Sequence, residues 1–396
     1  MNVFVTGLGI ISGLGSGKEE NLNKIRSGNH GMGKVTLFST RREVPVCEVK
    51  YSNAELRQLL TIPEREMWPR TALLGLFAVR EALADANLRK KLRIGLISST
   101  SVGGMDRSEN FYPSFMKDGS TGGRLRDVVH HDCGAITELI AQTMGITDFI
   151  TTVSTACSSA GNAIMLGARM IKNGLLDAVV AGGTDALCKF TLNGFNSLMI
   201  LDENHCRPFD KSRTGLNLGE GAGYLVLQGE NTLSGNPYCI LPGYSNANDA
   251  YHQTSSSPEG DGPFLCMKEA VEMAGIRPEM VDYINVHGTG TPNNDRSEGK
   301  AMIRLFGSKV PAFSSVKPFV GHALGASEGI EAVLSVLSLT RGIIYPNLNF
   351  ESPDEDIHLI PQLFIRENVQ LQYVLSNSFG FGGNNSSLLF SSLDTL

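Results

Sequence analysis

The sequence predicts an α/β fold in which strands and helices alternate along the chain. Short β-branched or apolar runs, such as residues 149–153 and 178–183, are separated by longer runs with apolar residues on several helical faces, such as residues 73–88. A strand, a polar loop, a reactive residue and a helix follow one another at both Cys157 and His322. This repeated layout indicates a duplicated βα unit.

The strands are predicted from apolar and β-branched runs bounded by glycine, proline or polar residues. In chain order they cover residues 3–6, 93–99, 149–153, 178–183, 224–227, a run that begins at 238, 281–286, 312–315 and 387–390. The predicted helices cover residues 73–88, 162–171, 264–274, 295–306 and 323–340. The Gly- and Ser-rich segment 101–123 is expected to be a long surface or binding excursion, and residues 377–385 a glycine hairpin.

The segment 231–237 is polar and rich in turn residues, which makes it the best boundary between two halves. We expect residues 1–236 to form an N-terminal half with Cys157. Residues 237–396 would form a C-terminal half with His287 and His322.

Composition is that of a globular protein with a large core. The chain has 396 residues, of which 41% are hydrophobic and 19% charged, and a net charge of −6. No basic field indicates nucleic-acid binding, although a local basic patch could still meet an acidic partner. No apolar run reaches membrane-spanning length, and the N terminus lacks a signal-peptide pattern. The seven cysteines are scattered without CxxC spacing, so we expect a reduced, cytoplasmic protein.

Two patterns resemble cofactor or metal sites but do not meet their requirements. The segment Gly7-Leu8-Gly9-Ile10-Ile11-Ser12 looks like a dinucleotide loop, but Ser12 replaces the third glycine and no strand ending in an acidic residue follows at the right distance. In His130-His131-Asp132-Cys133 the adjacent imidazoles diverge, and no partner ligands follow at helical spacing. We therefore expect neither a nicotinamide cofactor nor a metal ion.

Cys157 lies between the predicted strand 149–153 and a predicted helix, at or just before the helix start. A thiol there is exposed to the positive helix end and to free backbone N–H groups, which favour a thiolate and could hold a developing oxyanion. Cysteine is also a common small buried residue. This segment alone leaves both interpretations open.

Two other loops that leave buried strands carry reactive side chains: one has His287, and the other has Lys317 and His322. In α/β folds, residues beyond strand C-termini converge on a shared crevice. A nucleophile with two imidazoles suits acyl transfer from a thioester. A cysteine hydrolase needs one histidine, an orienting Asn or Asp and a water, whereas two histidines and a lysine suit a negative charge that develops on a carbonyl.

Seven motifs then resemble one family in that family's order. They are Val5-Thr6-Gly7-Leu8-Gly9, Thr155-Ala156-Cys157-Ser158-Ser159, Arg207-Pro208-Phe209-Asp210, Gly219-Glu220-Gly221-Ala222-Gly223, His287-Gly288-Thr289-Gly290-Thr291-Pro292, Lys317 with Gly321-His322, and Asn377-Ser378-Phe379-Gly380-Phe381-Gly382-Gly383. Over essentially its whole length the chain resembles the elongating, Cys-His-His β-ketoacyl-acyl-carrier-protein synthases of the thiolase superfamily, and synthase II most closely. Initiating synthases pair cysteine with one histidine and an asparagine, and thiolases use a second cysteine. Neither pattern fits.

The resemblance implies a thiolase-like fold, with duplicated βαβαβ halves in five αβαβα layers. It implies an acyltransferase of fatty acid biosynthesis that extends an acyl primer by two carbons through decarboxylative Claisen condensation with malonyl-acyl carrier protein. The partners would be acyl- and malonyl-loaded acyl carrier protein, which brings the phosphopantetheine arm, so that the enzyme binds no cofactor of its own. A homodimer is expected, with neither nucleic acid nor membrane as partner.

The resemblance also implies roles for individual residues. Cys157 would accept the acyl chain, and His287 and His322 would bind the malonyl thioester carbonyl and support decarboxylation. The backbone N–H groups of Cys157 and Phe381 would form the oxyanion hole, with Phe381 as the gate for acyl entry. Lys317 and Glu331 would organise the part of the site where malonyl is decarboxylated. Thr289 and Thr291 would form hydrogen bonds to the phosphopantetheine arm.

The sequence departs from synthase II where the acyl pocket is expected. Residues 124–145 do not match the usual apolar, proline-containing segment, and Asn384-Asn385 replaces the usual Thr-Asn. A specialised polyene or type II polyketide ketosynthase, as a heterodimer with a chain-length factor, is therefore the alternative. A catalytically silent subunit would lack the nucleophile, and this chain keeps Cys157.

Overall fold

Strands and helices alternate through the computed structural model, which describes residues 1–89, 91–117 and 122–395. The strands are β1 (Val3–Ser12), β2 (Gly15–Ser16), β3 (Ile94–Ser99), β4 (Phe149–Val153), β5 (Ala178–Asp185), β6 (Gly221–Gly229), β7 (Cys239–Asn248), β8 (Tyr283–Asn285), β9 (Ala312–Ser314), β10 (Tyr373–Gly380) and β11 (Asn384–Ser391). The helices are α1 (Lys18–Arg26), α2 (Asn53–Leu60), α3 (Arg70–Ala86), α4 (Met105–Lys117), α5 (Cys133–Met144), α6 (Ser159–Lys172), α7 (Lys189–Ser197), α8 (Asp261–Met273), α9 (Pro292–Phe306), α10 (Lys317–Val320) and α11 (Ser327–Arg341).

The strand order is the same in the two halves of the chain. The first half runs β4-β3-β5-β6-β1 and the second runs β9-β8-β10-β11-β7, with the short β2 attached to β1. In the first half, β3 pairs in parallel with β4 and β5, and the pairs β5–β6 and β6–β1 are antiparallel. In the second half, β8 pairs in parallel with β9 and β10, and the pairs β10–β11 and β11–β7 are antiparallel. Strands β1 and β7 join the halves through Phe4–Ile240 and Val5–Cys239. The predicted α/β fold with duplicated halves is confirmed.

Five layers follow from the way the helices cover the two parts of the sheet. Helices α6 and α11 lie between the parts and contact strands of both, whereas α3 and α5 cover the outer face of the first part and α8 and α9 that of the second. Because α6 and α11 are covered on both sides, their apolar residues belong to one large core that includes both parts of the sheet. Two further cores lie under the outer helices.

The central helix α11 lies unusually close to strand β6. A Cβ added to Gly223 in β6 would lie 2.3 Å from the carbonyl carbon of Gly329 in α11. Two glycines are therefore needed where the helix crosses the strand. This contact sets the height of α11 above the sheet, and so the position of His322, which precedes the helix.

Three sequence-based predictions of local structure are wrong. Residues 7–12 continue strand β1 beyond the predicted end at residue 6, because they pair with β6 and because Gly7 and Gly9 pack closely against α3. Within residues 101–123, Met105–Lys117 form helix α4, which its interior Pro113 and the neighbouring glycines and serines disfavoured in the sequence; residues 118–121 lie outside the described residues. The last central helix begins at Ser327 rather than at residue 323, because Leu324–Ala326 form a 3₁₀ turn.

None of the helices in the described ranges is long and apolar enough to cross a membrane. All seven cysteines are free thiols.

A buried ion pair links α3 to the loop before β6. Arg70 donates from Nε to Glu220 Oε2 at 2.9 Å, and Glu220 also accepts the backbone N–H groups of Val49 and Leu187, at 2.9 and 3.0 Å. The two side chains are 3% and 0% exposed. Removing either partner would leave the other charge uncompensated in the interior.

We expect Glu220→Ala to lower the free energy of unfolding by about 3–5 kcal/mol. The matched control is Glu19→Ala, whose ion pair with Arg341 is about half exposed and should contribute less than about 1 kcal/mol. Urea denaturation followed by circular dichroism measures both. Equal losses in the two variants would contradict a stabilising role for the buried pair.

Candidate active site

Cys157 sits at a sharp turn between β4 and α6. Ala156, directly before it, has a φ of 55°, a left-handed conformation that side chains rarely adopt. Ser159 Oγ accepts the Thr155 N–H at 2.7 Å, and Ser378 Oγ from β10 donates to the carbonyl of Cys157 at 2.9 Å. Helix α6 begins two residues later, as the sequence predicts. The turn is thus anchored by both halves of the chain.

The Cys157 thiol is buried and hydrogen-bonded to an imidazole. Its Sγ lies 3.1 Å from Nε2 of His322. Burial raises the pKa of the thiol to about 11, although the charge of Lys317 and the backbone N–H of Phe381 act in the opposite direction. The expectation that the helix start would favour a thiolate is therefore wrong for the resting site, because the loss of hydration outweighs the field of the helix end.

His322 is held on three sides. Its backbone N–H donates to the Asn217 carbonyl at 2.8 Å, and its carbonyl accepts the Gly219 N–H at 3.0 Å. Its Nδ1 lies 2.7 Å from Oγ of Ser327, the first residue of α11. Burial, followed by the charge of Lys317, lowers the imidazole pKa well below its usual value. His322 is therefore neutral near pH 7.

His287 faces His322 across the site. The two rings lie 5.5 Å apart between centroids and are nearly perpendicular, at 85°. The His287 Nδ1 is 3.3 Å from Nζ of Lys317 and 3.4 Å from Oγ of Ser378. Burial lowers the pKa of His287 well below its usual value, and the charge of Lys317 adds to this effect. Because Lys317 can only donate, Nδ1 accepts and the ring proton resides on Nε2.

Lys317 and Glu331 form a buried ion pair beside His287. The Lys317 ammonium donates to the His287 carbonyl at 2.6 Å and to the Glu331 carboxylate, and the two side chains are 1% and 2% exposed. Burial raises the pKa of Glu331, while Lys317 acts against that rise. The Lys317 ammonium therefore lies against Nδ1 of His287.

Two cavities meet at Cys157. One, of about 210 Å³, contains His287, His322, Thr289 and Thr291 in its wall; the two threonine hydroxyls lie 2.9 Å apart. The other, of about 520 Å³, is lined mainly by apolar and small residues: Val102, Ala156, Phe190, Gly194, Leu198 and Leu324 among them. Phe381 and Phe195 border both cavities, and their rings stack with centroids 6.0 Å apart at 15°. This stack borders both the smaller cavity, which contains the imidazoles and threonine hydroxyls, and the larger apolar cavity.

Cys157, His287 and His322 are also a set of side chains that can ligate a metal ion. The Sγ of Cys157 and a ring nitrogen of His287 and of His322 all lie within 4.8 Å of one another. The Lys317 ammonium beside His287 opposes the entry of a cation. The His130–Cys133 cluster does not form such a group within the described part of the chain, and His131 Nδ1 instead lies 2.7 Å from Ser108 Oγ.

The nucleophile, the imidazole pair and the duplicated fold agree with the family that the sequence resembles. The chain matches the family model described as the N-terminal domain of β-ketoacyl synthase over residues 1–232, and that of the C-terminal domain over residues 238–351. The chain belongs to the β-ketoacyl synthase family. The predicted family and thiolase-like fold are thereby confirmed.

Individual relatives of this ketoacyl synthase agree over nearly the full chain. It is 31% identical to 3-oxoacyl-[acyl-carrier-protein] synthase 2 of Staphylococcus aureus (strain MRSA252), over 98% of each chain. The solved structure of the ishigamide ketosynthase/chain length factor is similar, with a TM-score of 0.93, 29% identity and 99% of both chains covered. A second similar structure is that of a type II polyketide synthase acyl-carrier protein in complex with its ketosynthase bound to the hexaketide. Its TM-score is 0.87 and its sequence identity 25%, again over 99% of both chains.

Three residues of the ketoacyl synthase site were not predicted from the sequence. Ser327 contacts His322, and Ser378 contacts both Cys157 and His287. Glu298 of α9 accepts the backbone N–H groups of His287 and Gly288, both at 2.9 Å. Ser378 lies inside the motif of residues 377–383, and Ser327 lies at a helix start shortly after His322, so the sequence held a weak signal for both. It held none for Glu298, which reaches the loop only because α9 folds back onto it.

Alkylation tests the protonation state of Cys157. Because its thiol pKa is about 11, the rate of its reaction with iodoacetamide should rise several-fold per pH unit from about pH 7 to about pH 10. Site-specific mass spectrometry follows the reaction, with Cys157→Ser as the control for assignment. A rate that is already constant above about pH 8 would mean that the helix end does stabilise the thiolate.

Proposed function

We propose that the chain is a 3-oxoacyl-acyl-carrier-protein synthase that condenses a Cys157-bound acyl primer with malonyl-acyl carrier protein in fatty acid biosynthesis. The observation that carries this proposal is the meeting of the Cys157 thiol with two neutral imidazoles at the junction of two cavities. A thiol suits acyl transfer, and a pair of imidazole N–H donors suits a carbonyl that gains negative charge.

Acyl transfer begins from the neutral thiol. As Sγ attacks the thioester carbonyl of the acyl carrier protein, its proton passes to Nε2 of His322, 3.1 Å away. The backbone N–H groups of Cys157 and Phe381 face the sulfur and receive the oxyanion. His322 then returns the proton to the departing phosphopantetheine thiolate. The Ser327 hydroxyl can donate or accept, so it supports His322 throughout.

Decarboxylation uses both histidines as donors. The Nε2–H of His287, set by Lys317 on the opposite ring nitrogen, binds the malonyl thioester oxygen. His322 binds the same oxygen in the tautomer that carries its proton on Nε2, in which the Ser327 hydroxyl donates to Nδ1. Loss of CO2 leaves an enolate, whose carbon attacks the acyl-cysteine carbonyl. The new C–C bond forms, the C–S bond breaks, and Cys157 leaves as a thiolate that takes up one proton. Each cycle therefore consumes one proton and releases one CO2.

The other predicted site residues receive supporting roles in this proposal. Lys317 and Glu331 hold His287 in its tautomer and orientation. Thr289 and Thr291 bind the phosphopantetheine arm in the narrow cavity. Phe381 gates the apolar cavity, and its stacking on Phe195 supports that role. The arm arrives on the carrier protein, so the proposed enzyme holds no cofactor of its own.

We further propose a cytoplasmic homodimer whose subunits each consist of the halves 1–236 and 237–396. Strand β4 is the outer strand of the first half, and Ile150 within it is 39% exposed. An unpaired strand edge with exposed apolar side chains favours pairing with a second chain. These features support the dimer.

Cys157→Ala should abolish condensation, because no thiol remains to accept the acyl chain. Malonyl decarboxylation should remain detectable, because both imidazoles are retained. Product analysis with malonyl-acyl carrier protein, in the presence and absence of primer, measures both. Condensation near the wild-type rate in Cys157→Ala would refute the assignment.

A specialised polyene or type II polyketide ketosynthase that pairs with a chain-length factor is the second candidate. The observation that favours it is the likeness to the ishigamide ketosynthase/chain length factor. Primers that differ in length and unsaturation separate the two candidates. Ordinary kinetics with long saturated primers would refute the specialised function.

The proposed acyl pocket can be shortened at Gly194. This residue lines the larger cavity, and an added Cβ there would meet nothing within 4 Å. Gly194→Phe should lower kcat/KM for long primers by about tenfold or more and change that for acetyl primers by less than about twofold. Gly194→Ala is the control with little added volume. An equal loss for all primers would place the acyl chain elsewhere.

A further inference from the structure

Glu328 is a fully buried carboxyl group that the proposed reaction does not use. It is the second residue of α11 and lies against the first turn of α6 and strand β11. A Cβ added to Gly161 would lie 1.8 Å from its Oε2, so the absence of a side chain at Gly161 makes room for the carboxyl group. Gly161 is the third residue of the helix that begins just after Cys157.

Two carboxyl groups share this interior with one ammonium group. Glu331 pairs with Lys317, whereas no ion pair in the described part of the chain includes Glu328. Among the described residues, Glu328 Oε2 is bonded to Ser386 Oγ, while Oε1 has no partner. The titratable groups that act on Glu328 are Glu331 and Lys317, and it acts in turn on the Cys266 thiol of α8. Ionising both carboxyl groups would leave a net negative charge in a dry interior, at a large cost in free energy.

The hydrogen bonds of Ser386 indicate where the proton resides. Its hydroxyl lies within reach of two acceptors, Glu328 Oε2 and the backbone carbonyl of Ser378, the latter at 3.3 Å. One hydroxyl carries one proton and can serve only one acceptor. If Glu328 is protonated, it donates to Ser386, and Ser386 donates to Ser378. Burial, with repulsion from Glu331, also raises the pKa of Glu328 well above its usual value, although Ser386, Lys317 and the backbone N–H of Gly161 act in the opposite direction.

We propose that Glu328 is a positioning residue that carries a proton in the active enzyme and thereby preserves the positive potential at the N terminus of α6. That potential stabilises the Cys157 thiolate and the oxyanion as they form during turnover. An ionised Glu328 carboxylate packed against the first turn of α6 would oppose it. The proposal rests on the proposed function only in taking Cys157 as the nucleophile.

Glu328→Gln tests this proposal because the amide keeps the shape of the carboxyl group but cannot ionise. Alkylation of Cys157 by iodoacetamide is measured by site-specific mass spectrometry from about pH 6 to about pH 10. The ratio of variant to wild-type rates should be close to one while wild-type Glu328 keeps its proton, and should rise to about threefold or more as this carboxyl group ionises with increasing pH. The half-buried Cys133 thiol is the internal control, and its ratio should stay near one.

The proposal would be overturned if the ratio of variant to wild-type alkylation rates at Cys157 were the same at all pH values, whatever its size. A merely structural effect of the amide would act equally at every pH. If Glu328→Gln fails to fold, the double variant Gly161→Ala/Glu328→Ala removes the carboxyl group and partly refills its space for the same comparison. Alkylation requires no carrier protein. Absence of condensation in the wild type would therefore refute the proposed function while leaving the Glu328 test intact.

Discussion

The 3.1 Å contact between the Cys157 sulfur and His322 Nε2 is the constraint on which the architecture depends. The two side chains come from opposite halves of the chain, each from the loop before a central helix. They can meet only if α6 and α11 lie side by side between the two parts of the sheet. The glycine contact between β6 and α11 sets the distance of α11 from the sheet, and the Ser378 hydroxyl ties the Cys157 backbone to the other half. The duplicated fold thus serves to bring two equivalent loops together.

Burial then decides the charge of every group at the junction. It keeps the thiol protonated and both imidazoles neutral, and Lys317 strengthens the second effect by its positive charge. Neutral imidazoles can donate N–H groups to a carbonyl without placing another cation beside Lys317. One ammonium group is paired with Glu331, so the additional acid, Glu328, is most stable when it keeps its proton. The site is nearly neutral at rest, which allows it to stabilise negative charge as that charge develops.

The two cavities divide the recognition of substrate into two tasks. The narrow cavity presents threonine hydroxyls and both imidazoles, which suits a polar arm and a thioester. The larger cavity presents apolar and small side chains, which suits an acyl chain. The stacked rings of Phe195 and Phe381 stand where these cavities join, so a movement of either ring would connect them. In the proposed function, the choice of primer depends on the larger cavity, to which α7 contributes Phe190 and Gly194.

The sequence by itself determined most of the strands, the helices α3, α6, α8, α9 and α11, the equivalence of the Cys157 and His322 loops and, through its motifs, the family. These features depend on local patterns and on short segments that the chain keeps contiguous. Only the tertiary structure decided the protonation of Cys157, because desolvation depends on everything packed around the sulfur and overrides the local field of the helix end. It also placed Ser378 and Glu328 beside the turn and helix of Cys157, since these contacts join segments far apart in sequence. Helix α4 escaped prediction for another reason: its interior Pro113 and the glycines and serines around it are typical of a loop.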